Sequence, residues 1–369
     1  MSVDTSPIAE PHPIVEVKDL KVHFPSLDGT QTVKAVDGVD FSIMPGKTFG
    51  IIGESGSGKT TIGRVLSGLL DPTTGSILYE GENLARLPKR RYRHVRRRYQ
   101  IIFQDPNAAL NPRMRILDSL IEPMVIRGGL SKDDMRARAL DSIERVGLRQ
   151  EVAFRYPHQL SGGQKQRVNI ARILPLEPRL VVCDEVVAAL DASMRGEVLN
   201  LFHELQQDLG LAYAFIAHDI SIVAHVSDSV AVTYLGRFAE MGPTDDVIHR
   251  PRHPYTAALL STEPVALPAS LRTSRRIELK GEIPSPVAPP SGCRFRTRCP
   301  FAEERCAQEV PDWRQVDPDH YVACHFAGNG AFDAALRDAR KPTMTNQKGE
   351  KICFFQEKTG RPSPDCNPI

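Results

Sequence analysis

With 369 residues the chain is longer than one small domain, and two folding units are the natural expectation. Apolar residues make up 41% of it, enough for a sizeable core, which excludes wholesale disorder. A formal net charge of +2 offers no dominant attraction for nucleic acid or a membrane surface, and no apolar run reaches the length of a membrane span. Residues 1–13 are polar, contain proline and lack the apolar centre of a signal peptide, so they read as a flexible N-terminus. A cytosolic protein that meets any membrane through partners is expected.

Residues 14–24 alternate apolar and polar side chains, as a half-buried edge strand does. A second strand is expected over 33–43, closed by a turn at Pro45 and Gly46. Residues 48–52 form a short apolar strand that runs straight into a glycine-rich loop. Residues 60–69 then take helical spacing, with Ile62, Val65 and Leu69 on one side. From about 105 to 174 the period is helical, most clearly over 132–146, and an inserted helical subdomain is expected at about 105–175. Residues 180–183 and 212–217 read as buried parallel strands separated by a helix over 194–209, so the fold class is α/β. Between 254 and 299 prolines accumulate, among them Pro284, Pro286, Pro289 and Pro290, and a wrap-around segment is expected there instead of more wound sheet. Beyond about 328 the periodicity fades, so 329–369 is expected to be a loose tail. No internal repeat is present.

The loop after the 48–52 strand reads Gly53-Glu54-Ser55-Gly56-Ser57-Gly58-Lys59-Thr60, the P-loop form GxxxxGK[ST]. Its glycines let successive backbone N–H groups turn inward as a nest for phosphate oxygens, and the following helix adds its positive end. Lys59 is expected to bridge the β- and γ-phosphates and the Thr60 hydroxyl to ligate Mg²⁺. Asp184 follows an apolar strand, which places its carboxylate at the strand's end beside that metal, with Glu185 next to it. The run Leu160-Ser161-Gly162-Gly163-Gln164 presents a hydroxyl and two glycine amides at a helix start, which is an anion site.

In this order these residues, with Gln104 before the second run and His218 after Glu185, resemble the ATP-binding-cassette (ABC) ATPases. From residue 14 to about 326 the chain is similar to the ATPase subunit of a bacterial oligopeptide, dipeptide or nickel importer. The resemblance implies a P-loop NTPase core, with a RecA-like sheet, an antiparallel β-subdomain and the helical insert, over 14–255. A small cysteine-containing extension over 256–328 follows. It implies an ATP and Mg²⁺ site made by 53–60 and Thr61, with Gln104 touching metal and water and Asp184 on the metal. Glu185 would then be the general base for the attacking water and His218 the switch histidine at the γ-phosphate. Phe24 would stack on adenine. Ser161, Gly162, Gly163 and Gln164 would close on the nucleotide of an opposite subunit, and Asp191 would cross that interface.

The implied partners are two membrane permeases, a paralogous ATPase or a second copy, and, indirectly, an extracytoplasmic solute-binding protein. No nucleic acid partner is implied. The implied location is peripheral, on the cytoplasmic side of the inner membrane. The implied cargo is a peptide, with nickel or another small solute as the alternative. An ABC ATPase acting on DNA or ribosomes, or a module that binds ATP without hydrolysing it, are the other readings. The chain departs from the family's usual Asp-Glu-Pro-Val-Ser-Ala-Leu-Asp at Val186 and Ala188, and carries Pro175 in a helical stretch where alanine is common.

Of seven cysteines, Cys293, Cys299, Cys306 and Cys324 gather in the extension with spacing C-x5-C-x6-C-x17-C, which is not the tight pair of a zinc ribbon. A reducing cytosol argues against disulfides. The segment looks like the C-terminal extension of oligopeptide-importer ATPases, some of which carry a [4Fe-4S] cluster. Zinc or free thiols are the alternatives. The basic run 89–98 reads as a solvated helix face, with inner-leaflet lipid contact as its other reading.

Overall fold

The computed structural model describes residues 12–26, 29–262, 277 and 279–340. The chain divides into two compact units: residues 1–238 with 285–288, and residues 239–284 with 289–369.

The first unit opens with strands β1 (Val15–Pro25), β2 (Thr32–Ile43) and β3 (Thr48–Ile52), followed by helix α1 (Lys59–Leu66). Strands β4 (Thr74–Tyr79) and β5 (Glu82–Asn83), helix α2 (Lys89–Arg96) and strand β6 (Tyr99–Ile102) come next. Four helices then run in succession: α3 (Pro106–Ala109), α4 (Ile116–Arg127), α5 (Lys132–Arg145) and α6 (Gly162–Ile173). The unit continues with β7 (Leu180–Asp184), α7 (Ala192–Leu209), β8 (Ala212–Ile216), α8 (Ile220–Val226) and β9 (Ser229–Tyr234).

These strands build two sheets. One is antiparallel in the order β2-β1-β4-β5; the other holds the run β9-β3-β8-β7-β6, whose pairings are parallel. Strands β3, β7 and β8 are buried at every residue, which is why they read as continuous apolar runs without alternation. In β1 the alternation slips at Asp19, where a left-handed φ of 45° accompanies a shift in the pairing with β2. Strands β4, β6 and β9 add to those expected from the sequence.

In the helical stretch, Ser131 caps α5 by accepting a hydrogen bond from the Asp134 N–H, with Asp133 and Asp134 in the first turn. Pro175 does not interrupt a helix. Helix α6 ends at Ile173, and the proline falls in a 3-10 turn over Leu174–Leu176, where its missing N–H costs nothing.

The second unit contains β10 (Arg237–Pro243) from residue 239 onward, α9 (Thr244–His249), α10 (Pro254–Ser261), α11 (Glu304–Gln308), β11 (Arg314–Asp317), β12 (His320–Val322) and α12 (Gly330–Arg340). Strands β11, β12 and β10 pair antiparallel in that order, a ladder that the proline count did not suggest. Helix α12 corrects the expectation of a loose tail from residue 329. Leu336 on it is fully buried, and Asp333 on it pairs with Arg252. The expectations for residues 1–11 and 341–369, including Cys353 and Cys366, lie outside the described residues. Among the described residues no helix is long and apolar enough to cross a membrane.

A buried carboxylate organises this unit. Glu240 has no exposed surface, accepts hydrogen bonds from the N–H groups of Arg252 (2.7 Å) and His253 (3.0 Å), and lies 2.8 Å from the ring of buried His320. Removing it leaves those donors unsatisfied in a dry interior. Glu240→Ala is expected to destabilise the unit by about 3–5 kcal/mol. Trp313, the chain's single tryptophan, stacks on Tyr321 within the same unit at 6.0 Å, so its fluorescence during denaturant unfolding reads the effect.

Candidate functional site

Strand β3 delivers the chain into the loop at Gly53, whose φ is 149°. A Cβ there would lie 2.3 Å from the Thr233 carbonyl oxygen, so nothing larger than glycine fits. Gly58, at φ 107°, ends the loop and caps α1; a Cβ on it would come within 2.3 Å of the Ala35 carbonyl oxygen. Lys59, the first residue of α1, folds back over the loop, and its Nζ donates to the carbonyls of Gly53 (2.8 Å) and Glu54 (2.9 Å). The side chain is buried, and burial lowers its pKa to about 8, against the opposing negative charges of Glu185, Asp184 and Glu54.

Asp184 is the last residue of β7, and its Oδ1 accepts a hydrogen bond from the Thr60 hydroxyl at 3.2 Å. Burial raises the Asp184 pKa, with the Thr60 hydrogen bond acting against it and Glu185 adding to it. A hydroxyl and a buried carboxylate oxygen side by side are the hard-oxygen donor set that suits Mg²⁺. The residues therefore fit the expected ion.

Glu185 takes a left-handed φ of 54°, and its N–H is held by the Ile216 carbonyl at 2.9 Å. Its carboxylate pairs with the His218 ring, so the two side chains that follow β7 and β8 meet over the loop. Val186 stands where a proline would stiffen this turn. Here two backbone hydrogen bonds close it, from Ala188 N–H to the Glu185 carbonyl (3.0 Å) and from Leu190 N–H to the Val187 carbonyl (3.2 Å). Val186 and Val187 are buried.

Lys59, Thr60, Asp184, Glu185 and His218 thus form one connected set. The other expected residues are placed by local contacts. Ser161 caps α6 in a reciprocal box: its Oγ accepts from the Gln164 N–H (3.3 Å), and Gln164 Oε1 accepts from the Ser161 N–H (3.1 Å). Ser161 and Gly162 are exposed; Gly163 is covered by Met194, whose Cε would lie 1.9 Å from a Cβ built there. Asp191 caps α7 through the Met194 N–H at 2.9 Å. Gln104 is exposed two residues past β6, at the same end of the sheet as Asp184. Phe24 is 37% exposed on β1 instead of buried in a core. The Ser57 hydroxyl is buried 2.7 Å from the Thr233 hydroxyl, so it fastens the loop to β9. Thr233, which also donates to the Ile52 carbonyl at 2.9 Å, escaped the sequence reading because a threonine within an apolar strand carries no signal.

In the second unit all four cysteines of the extension, together with His253 and His325, line one small cavity. Burial raises the thiol pKa of Cys293, takes Cys299 to about 12 and Cys324 to about 11. Among the described residues, however, no three His, Cys, Asp or Glu side chains converge closely enough to hold a metal ion. The expected [4Fe-4S] cluster, and the zinc alternative with it, therefore find no preformed ion site.

A P-loop lysine and threonine, a strand-end aspartate on the threonine, the adjacent glutamate on a histidine, and a Ser-Gly-Gly-Gln helix cap define an ABC-type ATPase. Comparison with known proteins agrees: the ABC transporter profile matches residues 36–188, and the oligopeptide/dipeptide transporter C-terminal region matches residues 239–306. YkfD of Bacillus subtilis is 48% identical over 326 residues, 88% of this chain and 99% of that protein. The oligopeptide transport ATP-binding protein AppF of the same species is 44% identical over 85% of this chain and 97% of its own. The di/tripeptide transport ATP-binding protein DppF of Pseudomonas aeruginosa is 45% identical over 85% and 98%. Among solved structures, the ADP- and phosphate-bound dimer of the cassette MJ0796 superposes with a TM-score of 0.56 at 27% identity, covering 62% of this chain and 98% of that one. CbiO1 of Clostridium perfringens gives a TM-score of 0.57 at 30% identity, covering 64% and 90%. The chain belongs to the ABC transporter ATP-binding proteins, in the branch that carries the oligopeptide/dipeptide transporter C-terminal region.

The buried lysine has a measurable consequence. Phosphate oxygens favour the ammonium form and raise the Lys59 pKa from about 8, so ATP binding takes up a proton at pH values above about 8. Well below pH 8 the lysine is already charged and uptake vanishes; ATP affinity falls as pH rises through that value. Calorimetric titrations at pH 8.5 in buffers of different ionisation enthalpy are expected to show the uptake, and Lys59→Arg to abolish it.

Proposed function

We propose that this chain is the ATP-hydrolysing, energy-coupling subunit of an importer for di- and oligopeptides, working peripherally on the cytoplasmic side of the membrane beneath two permeases. The observation that carries the chemistry is the connected set from Lys59 to His218. The peptide cargo rests on the relatives' descriptions and on the match of the second unit to the oligopeptide/dipeptide transporter region.

In this reading the loop amides and Lys59 hold the β- and γ-phosphates. Thr60 and Asp184, with Gln104, hold Mg²⁺, which screens phosphate charge when bound. Phe24, exposed on β1, stacks on adenine. Glu185 orients a water against the γ-phosphorus and takes its proton as the new P–O bond forms and ADP leaves. His218, already on the Glu185 carboxylate, keeps that group aimed and contacts the γ-phosphate. The exposed Ser161 and Gly162 at the start of α6 complete the site of an opposite ATPase subunit, either a second copy or a paralogue, and Asp191 lies on that interface. Gln104 passes nucleotide occupancy to the permeases.

Glu185→Gln keeps the shape and removes the base. Steady-state ATPase assays with the permeases present are expected to show kcat reduced about 10²–10⁴-fold with ATP binding retained. Equal rates in both proteins would end the enzymatic reading. Affinity purification from detergent-solubilised membranes is expected to bring down two multi-span permeases. Recovery of ribosomal or DNA-repair proteins alone would overturn the transport reading.

The second unit is read in the same way as the holder of a [4Fe-4S] cluster. Four thiols around one cavity support it, because a four-iron cluster spaces its ligands more widely than a single ion does. Anaerobically purified protein should then carry iron, acid-labile sulfide and a broad brown absorbance that the four-cysteine-to-serine variant lacks. A colourless, iron-free preparation would leave the cysteines as buried thiols.

A further inference from the structure

A groove of about 440 Å³ lies in the first unit at the start of the parallel strands, where Arg98 precedes β6, Arg179 precedes β7 and Leu211 precedes β8. The nucleotide residues occupy the opposite ends of these strands, about 15 Å away along strands of five residues. Arg97, Arg98, Arg127, Arg179 and His94 line the groove, with Glu177 as its single acidic wall residue.

Its charges do not cancel. Glu80 answers both Arg98 (2.9 Å) and Arg179 (3.5 Å). Glu177 answers both Arg127 (3.5 Å) and Arg138 (2.6 Å). Two carboxylates therefore serve four guanidinium groups. Arg97, half-buried on the rim, has no carboxylate partner among the described residues. Leu174, Leu209 and Leu211 add an apolar wall beside these cations, and Leu209 is 41% exposed. A guanidinium cluster recognises phosphate through paired N–H donors, and the volume suits a small phosphorylated molecule.

We propose that this groove binds a multiply charged phosphate ligand with an apolar portion, remote from the ATP site. Such chemistry has two sources, a soluble polyphosphate or the headgroup of an anionic lipid. The assignment does not depend on the transported cargo.

The test uses the full chain carrying Lys59→Ala, which weakens anion binding at the P-loop by removing its cation; the Arg97 dependence separates the groove from what the loop amides still bind. Inositol hexakisphosphate is titrated calorimetrically, and sedimentation is measured with phosphatidylcholine vesicles with and without phosphatidylglycerol. Arg97→Glu breaks no ion pair and should weaken binding about tenfold or more, while Lys132→Glu, the same charge change on exposed α5, leaves it unchanged. Arg97→Gln should act in the same direction with an unaltered thermal melt. Arg97-dependent binding of the soluble probe assigns the soluble source; Arg97-dependent binding of the phosphatidylglycerol vesicles alone assigns the lipid. Binding of neither probe, or equal weakening by Lys132→Glu, overturns the proposal.

Discussion

Everything in the first unit depends on a backbone that has no room to be anything but glycine at two points. At Gly53 the neighbour is the Thr233 carbonyl of β9, and at Gly58 it is the Ala35 carbonyl of β2. One strand belongs to the parallel sheet and the other to the antiparallel sheet, so the loop is gripped from both. Ser57 tightens the grip through Thr233. A loop so held can bury Lys59 against its own carbonyls, and a charge that is expensive to desolvate stays close to the carboxylates that favour it. Packing comes first here, and the electrostatics follow from it.

The parallel strands then bring distant residues to one edge. Pairing of β7 with β8 and of β8 with β3 sets Asp184, Glu185 and His218 beside a loop more than a hundred residues away in sequence. Because those strands are buried on both faces, a one-residue slip would drag polar groups into the core, and the register is strongly specified. The carboxylates therefore arrive where they do through apolar side chains that never touch a nucleotide.

Much of this was legible in the sequence, for a physical reason. The P-loop, the Ser-Gly-Gly-Gln cap and the Asp184-Glu185 pair act through local backbone geometry, which consecutive residues encode. The strands β3, β7 and β8 announced themselves as short apolar runs. What escaped was non-local. Thr233 matters only because β9 lies beside β3, and the β10-β12-β11 ladder joins strands some eighty residues apart. Helix α12 has a helical period of its own that the surrounding polar sequence masked, and it is held by the burial of Leu336 and by Asp333 pairing with Arg252, 81 residues away in sequence. Pro175 and Val186 looked disruptive in isolation, yet one falls in a 3-10 turn and the other in a turn closed by two backbone bonds. The cysteines were easy to find, but their spacing could not say how far apart the thiols would stand.

Glu185 sits in the left-handed region at φ 54°, a conformation that costs a residue with a Cβ about 1–2 kcal/mol. Glycine or asparagine would relax that backbone, but neither places a carboxylate on His218. The position is thus one where the residue that suits the fold best cannot serve the chemistry, and the chain keeps the less comfortable one. Selection for thermal robustness alone would erode this site at that codon first, so stability and turnover pull the same residue in opposite directions.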